Sequence, residues 1–205
     1  MKTRERILLT SLALFNQFGE PNVTTLQIAD EMDISPGNLY YHFKNKPEIL
    51  NELYDRFDKQ MSELLDVPEV NISIEDQWLF LHLIFETIAE YRFLYQDLVN
   101  VLSRHSKIAV RFRRLLDKKY KASLTICRSL AKQDLMNASD EEIKSLCHNI
   151  VLCITYWISY DMVFNKLTGD SVDLGHGVYQ VMSQVAPYLI EDQRALLEDM
   201  GKVYL

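Results

Sequence analysis

ISPGNLYYHFKNKPEIL, residues 34–50, puts Ser35, Pro36, Gly37 and Asn38 ahead of two tyrosines, a histidine and a phenylalanine, and then two lysines. Ser35 is a good helix N-cap, and Pro36 falls at the first helical position, where a missing N–H is harmless. The stretch therefore predicts a short helix over 35–43. A helix of this length is marginal in isolation, so its many hydrogen-bonding side chains imply that the polar side faces something specific. Asn45 caps the next helix, and Glu48 stands three residues on, the spacing of a capping box.

Working back from this stretch, Thr24 caps a helix over 25–32, and Asp33 and Ile34 form a tight turn. Ile28, Ala29 and Met32 supply one apolar face, small Ala29 permits close approach, Ile34 plugs the turn, and Leu39 and Phe43 point inward from the second helix. This is the layout of a helix-turn-helix. It leaves Pro36, Gly37, Asn38, Tyr40, Tyr41 and His42 on the outer face or at the helix start. A helix of this kind fits the major groove of B-DNA, ~12 Å wide, and reads base edges with its N-terminal residues. Gly37 admits close backbone approach, Asn38 suits adenine, Tyr40 and His42 can donate to phosphate oxygens, and Lys44 and Lys46 can neutralise phosphates.

Further back, Lys2, Arg4 and Arg6 precede an apolar run over 7–15, the outline of a secretory leader. Glu5 interrupts the basic part and no small-x-small cleavage site follows. Leu8, Leu12 and Phe15, with Leu14 and Phe18, recur at helical steps. The segment is read as a core helix over 2–18, stopped by Gly19 and Pro21.

Beyond residue 46 the chain reads as helices throughout, over 46–65, 74–90, 92–103, 106–133, 140–167, 174–189 and 191–201, with 67–71 as the plausible internal linker. Ser73 caps one helix, Ser139 with Glu142 forms a capping box, Thr168, Gly169 and Asp170 break the chain, and Pro187 ends or bends the helix before it. Nothing shows the sustained alternation of strands, so the expected class is all-α. The expected domains are 1–46, a helix-turn-helix unit, and 47–205, a ligand-binding and dimerisation unit with 47–65 as connecting helix.

The 205 residues are 48% hydrophobic and 25% charged, an ordinary globular balance. The net charge is −7 and the pI about 5.3, which argues against indiscriminate nucleic-acid binding but leaves room for a local face. In residues 1–46, Lys2, Arg4, Arg6, Lys44 and Lys46 balance Glu5, Glu20, Asp30, Glu31 and Asp33, so the whole −7 lies in the remainder. One basic run departs from that trend: Arg104, Lys107, Arg111, Arg113, Arg114, Lys118, Lys119 and Lys121 against Asp117. It reads as a solvated helix face, an anionic-ligand site or an extra phosphate contact. The buried stripe of the same helix is Ile108, Phe112, Leu115, Leu116 and Tyr120.

Three cysteines, Cys127, Cys147 and Cys153, make no disulfide framework and no zinc spacing. They fit a reducing cytoplasm, the expected location. No run of ~18 apolar residues exists to span a membrane. No metal or cofactor is expected. Cys147 and His148 are neighbours, but on a helix they point ~100° apart, and no catalytic motif is present. The chain is not expected to be an enzyme.

The residues from Thr24 and Thr25 through Ile28 and Ala29 to Leu39, Tyr40, Tyr41, His42, Phe43, Lys44, Asn45 and Lys46 closely resemble the DNA-binding domain of TetR-family transcriptional regulators, over roughly residues 3–50. The resemblance implies that Thr24, Thr25, Tyr40, His42 and Lys46 bind DNA, mainly its backbone, and that residues near Pro36, Gly37 and Asn38 face the bases; Tyr41 reads either as a further DNA contact or as packing on the next helix. Asp33 departs from the glycine usual there, and Asp tolerates a left-handed backbone. The resemblance further implies a homodimer with a four-helix interface and a small-molecule effector, hence a one-component repressor of palindromic operators. The alternative is a helical protein-interaction scaffold without sequence-specific DNA binding. Candidate effector contacts are Trp78, His82, Phe85, Tyr95, Tyr120, Tyr156, Trp157 and Tyr160. Candidate interface residues are Ile154, Ile158, Val178, Val181, Met182 and Val185.

Overall fold

The computed structural model describes residues 2–67, 73–164 and 174–202. Its helices are α1 (Thr3–Phe18), α2 (Thr25–Glu31), α3 (Pro36–His42), α4 (Lys46–Leu64), α5 (Ile74–Glu90), α6 (Arg92–Gln96), α7 (Leu98–Arg104), α8 (Ser106–Lys132), α9 (Asp140–Phe164), α10 (Leu174–Val185) and α11 (Glu191–Gly201). Single 3₁₀ turns cover Glu20–Asn22 and Ala186–Tyr188. The all-α class holds: among the described residues the only β feature is an isolated bridge between Met136 and Leu189.

Two differences from the expected elements have clear causes. The helix expected over 92–103 is two short helices that change direction at Asp97, whose side chain accepts from Asn100 Nδ2 at 2.7 Å. A short polar residue offers the backbone such alternatives to a continuous helix. Pro187 converts the end of the helix expected over 174–189 into a 3₁₀ turn, so α10 stops at Val185. Most of the expected linker, and the break at Thr168, Gly169 and Asp170, lie outside the described residues.

The N-terminal head is α1–α3. Thr24 forms a full capping box with Gln27, its hydroxyl accepting from Gln27 N at 3.2 Å. Ser35 caps α3 through Asn38 N at 3.2 Å. At α4 the box is incomplete: Asn45 accepts from Glu48 N at 3.0 Å, but the Glu48 carboxylate accepts from Lys44 N at 2.8 Å instead. Ile7, Leu8, Phe15, Ile28, Ala29 and Leu39 are wholly buried, which fixes the angle between α2 and α3. At the turn Asp33 takes φ +53°, and Ile34 N then donates to Ala29 O at 3.0 Å.

α4 belongs to both halves of the molecule. Its Ile49 and Leu50 seal the head, while Phe57 meets Tyr91 and Tyr95 at ring separations of 5.6 and 5.8 Å in the body. In the body α8 packs against α9, and α10 lies against α5 and α9. Gly177 on α10 is pressed so close that a β-carbon there would stand 2.7 Å from Phe85 Cε1 and 2.8 Å from Trp157 Cδ1.

Holding a non-glycine residue in the left-handed region costs about 1 kcal/mol. Asp33→Gly is expected to stabilise the protein by ~0.5–1 kcal/mol and Asp33→Val to destabilise it by at least as much, measured by urea unfolding; equal midpoints would show that this turn carries no strain.

Candidate nucleic-acid interface and internal cavity

α3 is anchored by its inner face and presents its outer one. Leu39 and Phe43 are buried, whereas Pro36, Gly37, Asn38 and Tyr40 are exposed and the Tyr41 ring is 85% exposed. Tyr41 touches His42 edge-on at 5.1 Å and does not pack on α4. The Thr25 and Tyr40 hydroxyls share a hydrogen bond of 2.9 Å that aligns the start of α2 with α3. Thr24 stands exposed at the head of α2 and Lys44 is exposed after α3. Thr24, Pro36, Gly37, Asn38, Tyr40, Tyr41 and Lys44 are thus exposed, and Thr25 and His42 half-buried beside them.

Lys46, expected at the DNA backbone, is engaged within the protein in the free chain. Its ammonium donates to Glu20 O at 2.8 Å and Val23 O at 2.9 Å, and it pairs with the Glu20 carboxylate at 3.0 Å. Its three N–H donors all meet oxygens of the protein in this DNA-free state. Arg4, also near this side, is bound in a fork to Glu52 and lies 4.6 Å over the Phe43 ring.

Glu20 is the focus of the junction between head and body. It is buried, and its second oxygen accepts from Arg104 Nη2 at 2.8 Å. His105 Nε2 lies 4.0 Å from the same oxygen. Burial lowers the His105 pKa, opposed by the Glu20 charge and assisted by Arg104 and Lys46. A second knot lies at Asn16 on α1, whose side chain donates to Glu90 O at 2.7 Å and accepts from Phe93 N at 3.0 Å.

The basic run resolves into two parts. Arg111 pairs with Asp55 and Asp58 of α4 and lies 4.7 Å over Tyr54, and Lys118 donates to Ser62 at 2.9 Å. This is an electrostatic seam between α8 and acidic α4, which none of the three sequence readings anticipated. Lys119 turns the other way and is 2% exposed. It follows Phe112 and Leu115, and precedes Ala122 and Ile126, at helical steps, so it sits on the buried stripe itself. That position was the sequence signal for it.

Lys119 is one of the residues lining a cavity of about 40 Å³ between α5, α8, α9, α10 and Leu65 at the end of α4. The walls are aliphatic apart from Phe80, Cys127 and three polar side chains: Lys119, Gln77 and Ser123. Lys119 Nζ donates to Tyr95 Oη at 3.1 Å, and burial without a counter-charge brings its pKa down to about 7. Gln77 Nε2 is buried with no hydrogen-bond partner.

The expected effector and interface residues distribute differently about this cavity than their roles suggest. None of Trp78, His82, Phe85, Tyr95, Tyr120, Tyr156, Trp157 and Tyr160 lines this cavity, whereas Ile154, Val181, Met182 and Val185 do. Phe85 and Tyr95 are core, and Tyr120 stacks on His148 at 4.4 Å. Ile154, Ile158, Val178, Val181, Met182 and Val185 are all at most 5% exposed, so the packing of a single chain already covers them. The outward stripe of α9 is instead Leu152, Tyr156, Tyr160 and Phe164, four residues apart and 43–71% exposed. With His176, Gln180 and Gln184 of α10 it borders an open groove. Apolar residues all round these helices signalled burial on two sides, but periodicity does not say which side is which.

Residues 7–53 match the family model described as "Bacterial regulatory proteins, tetR family", and residues 56–197 match the TetR model described as "Bacterial transcriptional repressor". A crystal structure of a TetR-family transcriptional regulator from Marinobacter aquaeolei VT8 is 33% identical, with a TM-score of 0.88 over 100% of this chain and 99% of that one. The fold is shared also with a putative transcriptional regulator from Saccharomonospora viridis in complex with choline, at 22% identity and TM-score 0.70, over 92% of this chain and 97% of that one. Among curated proteins, the "Probable acrEF/envCD operon repressor" of Escherichia coli (strain K12) is 37% identical over 54 residues, 26% of this chain; the match spans only 24% of that protein's length.

Because the unfolded chain protonates Lys119 near the usual value of 10.5 and the folded chain only near 7, the unfolded state binds more protons between those limits, and stability from this group rises with pH across that window. Lys119→Met is expected to be more stable than the parent below pH 7, with an advantage that shrinks by ~2 kcal/mol or more by pH 10. Urea unfolding at both pH values measures it; a pH-independent difference would mean that Lys119 is charged in the fold.

Proposed function

The chain belongs to the TetR family of bacterial transcriptional regulators, and from that premise we propose a homodimeric repressor that grips a palindromic operator with two copies of α3 and lets go when a small effector occupies the body. The carrying observation is the outer face of α3, where Asn38 and Tyr41 stand clear of the protein although Leu39 and Phe43 lock the same helix in place. An aromatic side chain 85% exposed on a rigid helix contributes little to stability, so its use lies outside the chain. Asn38 reads a base, Gly37 and Pro36 allow approach, and Thr24, Thr25, Tyr40, Tyr41, His42 and Lys44 meet the backbone and groove edge. Since Arg4 and Lys46 are engaged internally, phosphate neutralisation is modest and base contacts carry a correspondingly larger share of specificity.

Two such helices must be held about one helical turn of DNA apart, ~34 Å. The stripe Leu152, Tyr156, Tyr160 and Phe164 supplies the means, pairing α9 and α10 with their symmetry mates. The functional division falls at residues 46 and 47, with 47–65 as a lever. A helical protein-binding scaffold is the competing reading, and it gives no reason for the outward Asn38 and Tyr41 beside a Thr25–Tyr40 brace.

Tyr41→Ala is expected to leave the unfolding midpoint unchanged and to weaken operator binding at least ten-fold by fluorescence anisotropy; undiminished affinity would favour the scaffold. Asn38→Ala is expected to change the consensus selected from random duplexes at one position per half-site. For the dimer, Tyr156→Asp combined with Leu152→Asp is expected to yield a folded monomer in sedimentation velocity, whereas Ile154→Asp is expected to unfold the chain; a dimer of unaltered mass from the double variant would move the interface elsewhere.

A further inference from the structure

The cavity beside Lys119 has an unbalanced chemistry. An ammonium carries three N–H donors, and this one has a single acceptor, Tyr95 Oη. The Gln77 amide nitrogen adds donors that meet no acceptor. Both side chains are more than nine-tenths buried. Ser123 already donates to Lys119 O at 2.9 Å. No carboxylate lines the space; the remaining wall is Phe80, Cys127 and aliphatic side chains. Burying such donors without acceptors is costly, and a fold gains nothing from the arrangement unless something brings the acceptor. A cation would be repelled. A neutral hydrocarbon would leave every donor as it is. An anion satisfies the donors and restores the charge balance at once.

We propose that the effector is a monocarboxylic amphiphile whose carboxylate is held by Lys119 Nζ and Gln77 Nε2 and whose apolar body lies among Leu81, Ile84, Ile150 and Val181. This deepens the reading of the chain as an effector-responsive repressor and rests on it. The empty space, about 40 Å³, is well below the ~150 Å³ void that accepts benzene. The surface that lines it is apolar and the two donors lie just behind it, so the head group reaches Lys119 and Gln77 only as the wall parts, and the chain displaces wall residues. One wall residue is Leu65, the C-cap of α4. Pressure there acts on the far end of the helix whose first residue, Lys46, is tied to Glu20 in the head. The ligand is thus coupled to the spacing of the two α3 helices without touching DNA.

Proton exchange gives an independent signature. The titratable groups facing Lys119 are the Tyr95 phenol from α6, with Tyr54 of α4 behind it, and Cys127 on its own helix; α5, α9 and α10 contribute no acid or base to the cavity wall. Burial raises the Tyr95 phenol well above the ordinary value, so it stays neutral. With the free Lys119 near 7, carboxylate binding takes up ~0.9 proton at pH 8 and ~0.1 at pH 6, whereas an alcohol takes up none.

The test uses the full-length dimer with octanoate and decanoate against octan-1-ol and decan-1-ol, by titration calorimetry in phosphate and Tris buffers, with operator release followed by anisotropy. The acids are expected to bind at least ten-fold tighter than alcohols of equal length, to take up the stated protons and to release operator. Lys119→Met is expected to abolish the preference for acid, and Gln77→Leu to reduce it. Equal affinity for acid and alcohol, no acid binding, or acid binding without operator release overturns the proposal, as does an unchanged preference in folded Lys119→Met. Should that variant not fold, absence of proton uptake by the parent at pH 8 overturns it. Ligand-free parent that binds no operator would instead sink the repressor reading; operator binding with no acid preference sinks this proposal alone.

Discussion

The DNA-facing head is tied to the body at a buried carboxylate. Glu20 sits in the 3₁₀ turn after α1, and it holds Lys46 at the start of α4 and Arg104 at the end of α7. Removing one partner of a buried ion pair leaves an uncompensated charge and costs ~3–5 kcal/mol, so the three elements act as a joint. The joint is polar and half-open on the cation side, with Arg104 37% exposed. A polar joint can yield in angle where a hydrophobic core would resist, because its contacts are few and directional. The same constraint holds the Lys46 ammonium against Glu20 and Val23 in the free chain.

α4 is then held along three different surfaces. Its start is in the joint, its middle is bound by the aromatic cluster of Phe57, Tyr91 and Tyr95, and its acidic side runs along α8 through Arg111 and Lys118. The seam is partly exposed, so each pair contributes ~1 kcal/mol or less. Such a seam holds α4 less firmly than the aromatic cluster does. The cavity touches α4 only at Leu65, the end farthest from the joint, where a small displacement has the longest arm.

Much of this was legible in the sequence. Ser35, Pro36, Leu39 and Phe43 specify α3 and its buried side by capping and spacing alone. Thr24 and Asn45 mark the flanking helix starts, and the TetR resemblance follows from those residues. The body was legible as helices but not as surfaces. Ile154 and Val181 satisfy the same apolar periodicity whether they face a core or a second copy, and only the packing of α5 against α10 decides between them. Large aromatic side chains suggested a pocket, yet Phe85 and Tyr95 fill space that aliphatic residues leave open elsewhere. Lys119 was hidden in a run of surface charges, although its spacing from Leu115 and Ala122 put it on the inner stripe. Long-range pairs such as Arg111 with Asp58, or Arg104 with Glu20, have no local signature at all.

The tight approach at Gly177 ties the history of three positions together. A methyl group there has no room beside Phe85 and Trp157, so this glycine cannot drift until one of those rings has first become smaller. Trp157 also borders the outer groove of α9 and α10. A change that begins as a repair of this internal contact therefore also reshapes the outer face of α9 and α10.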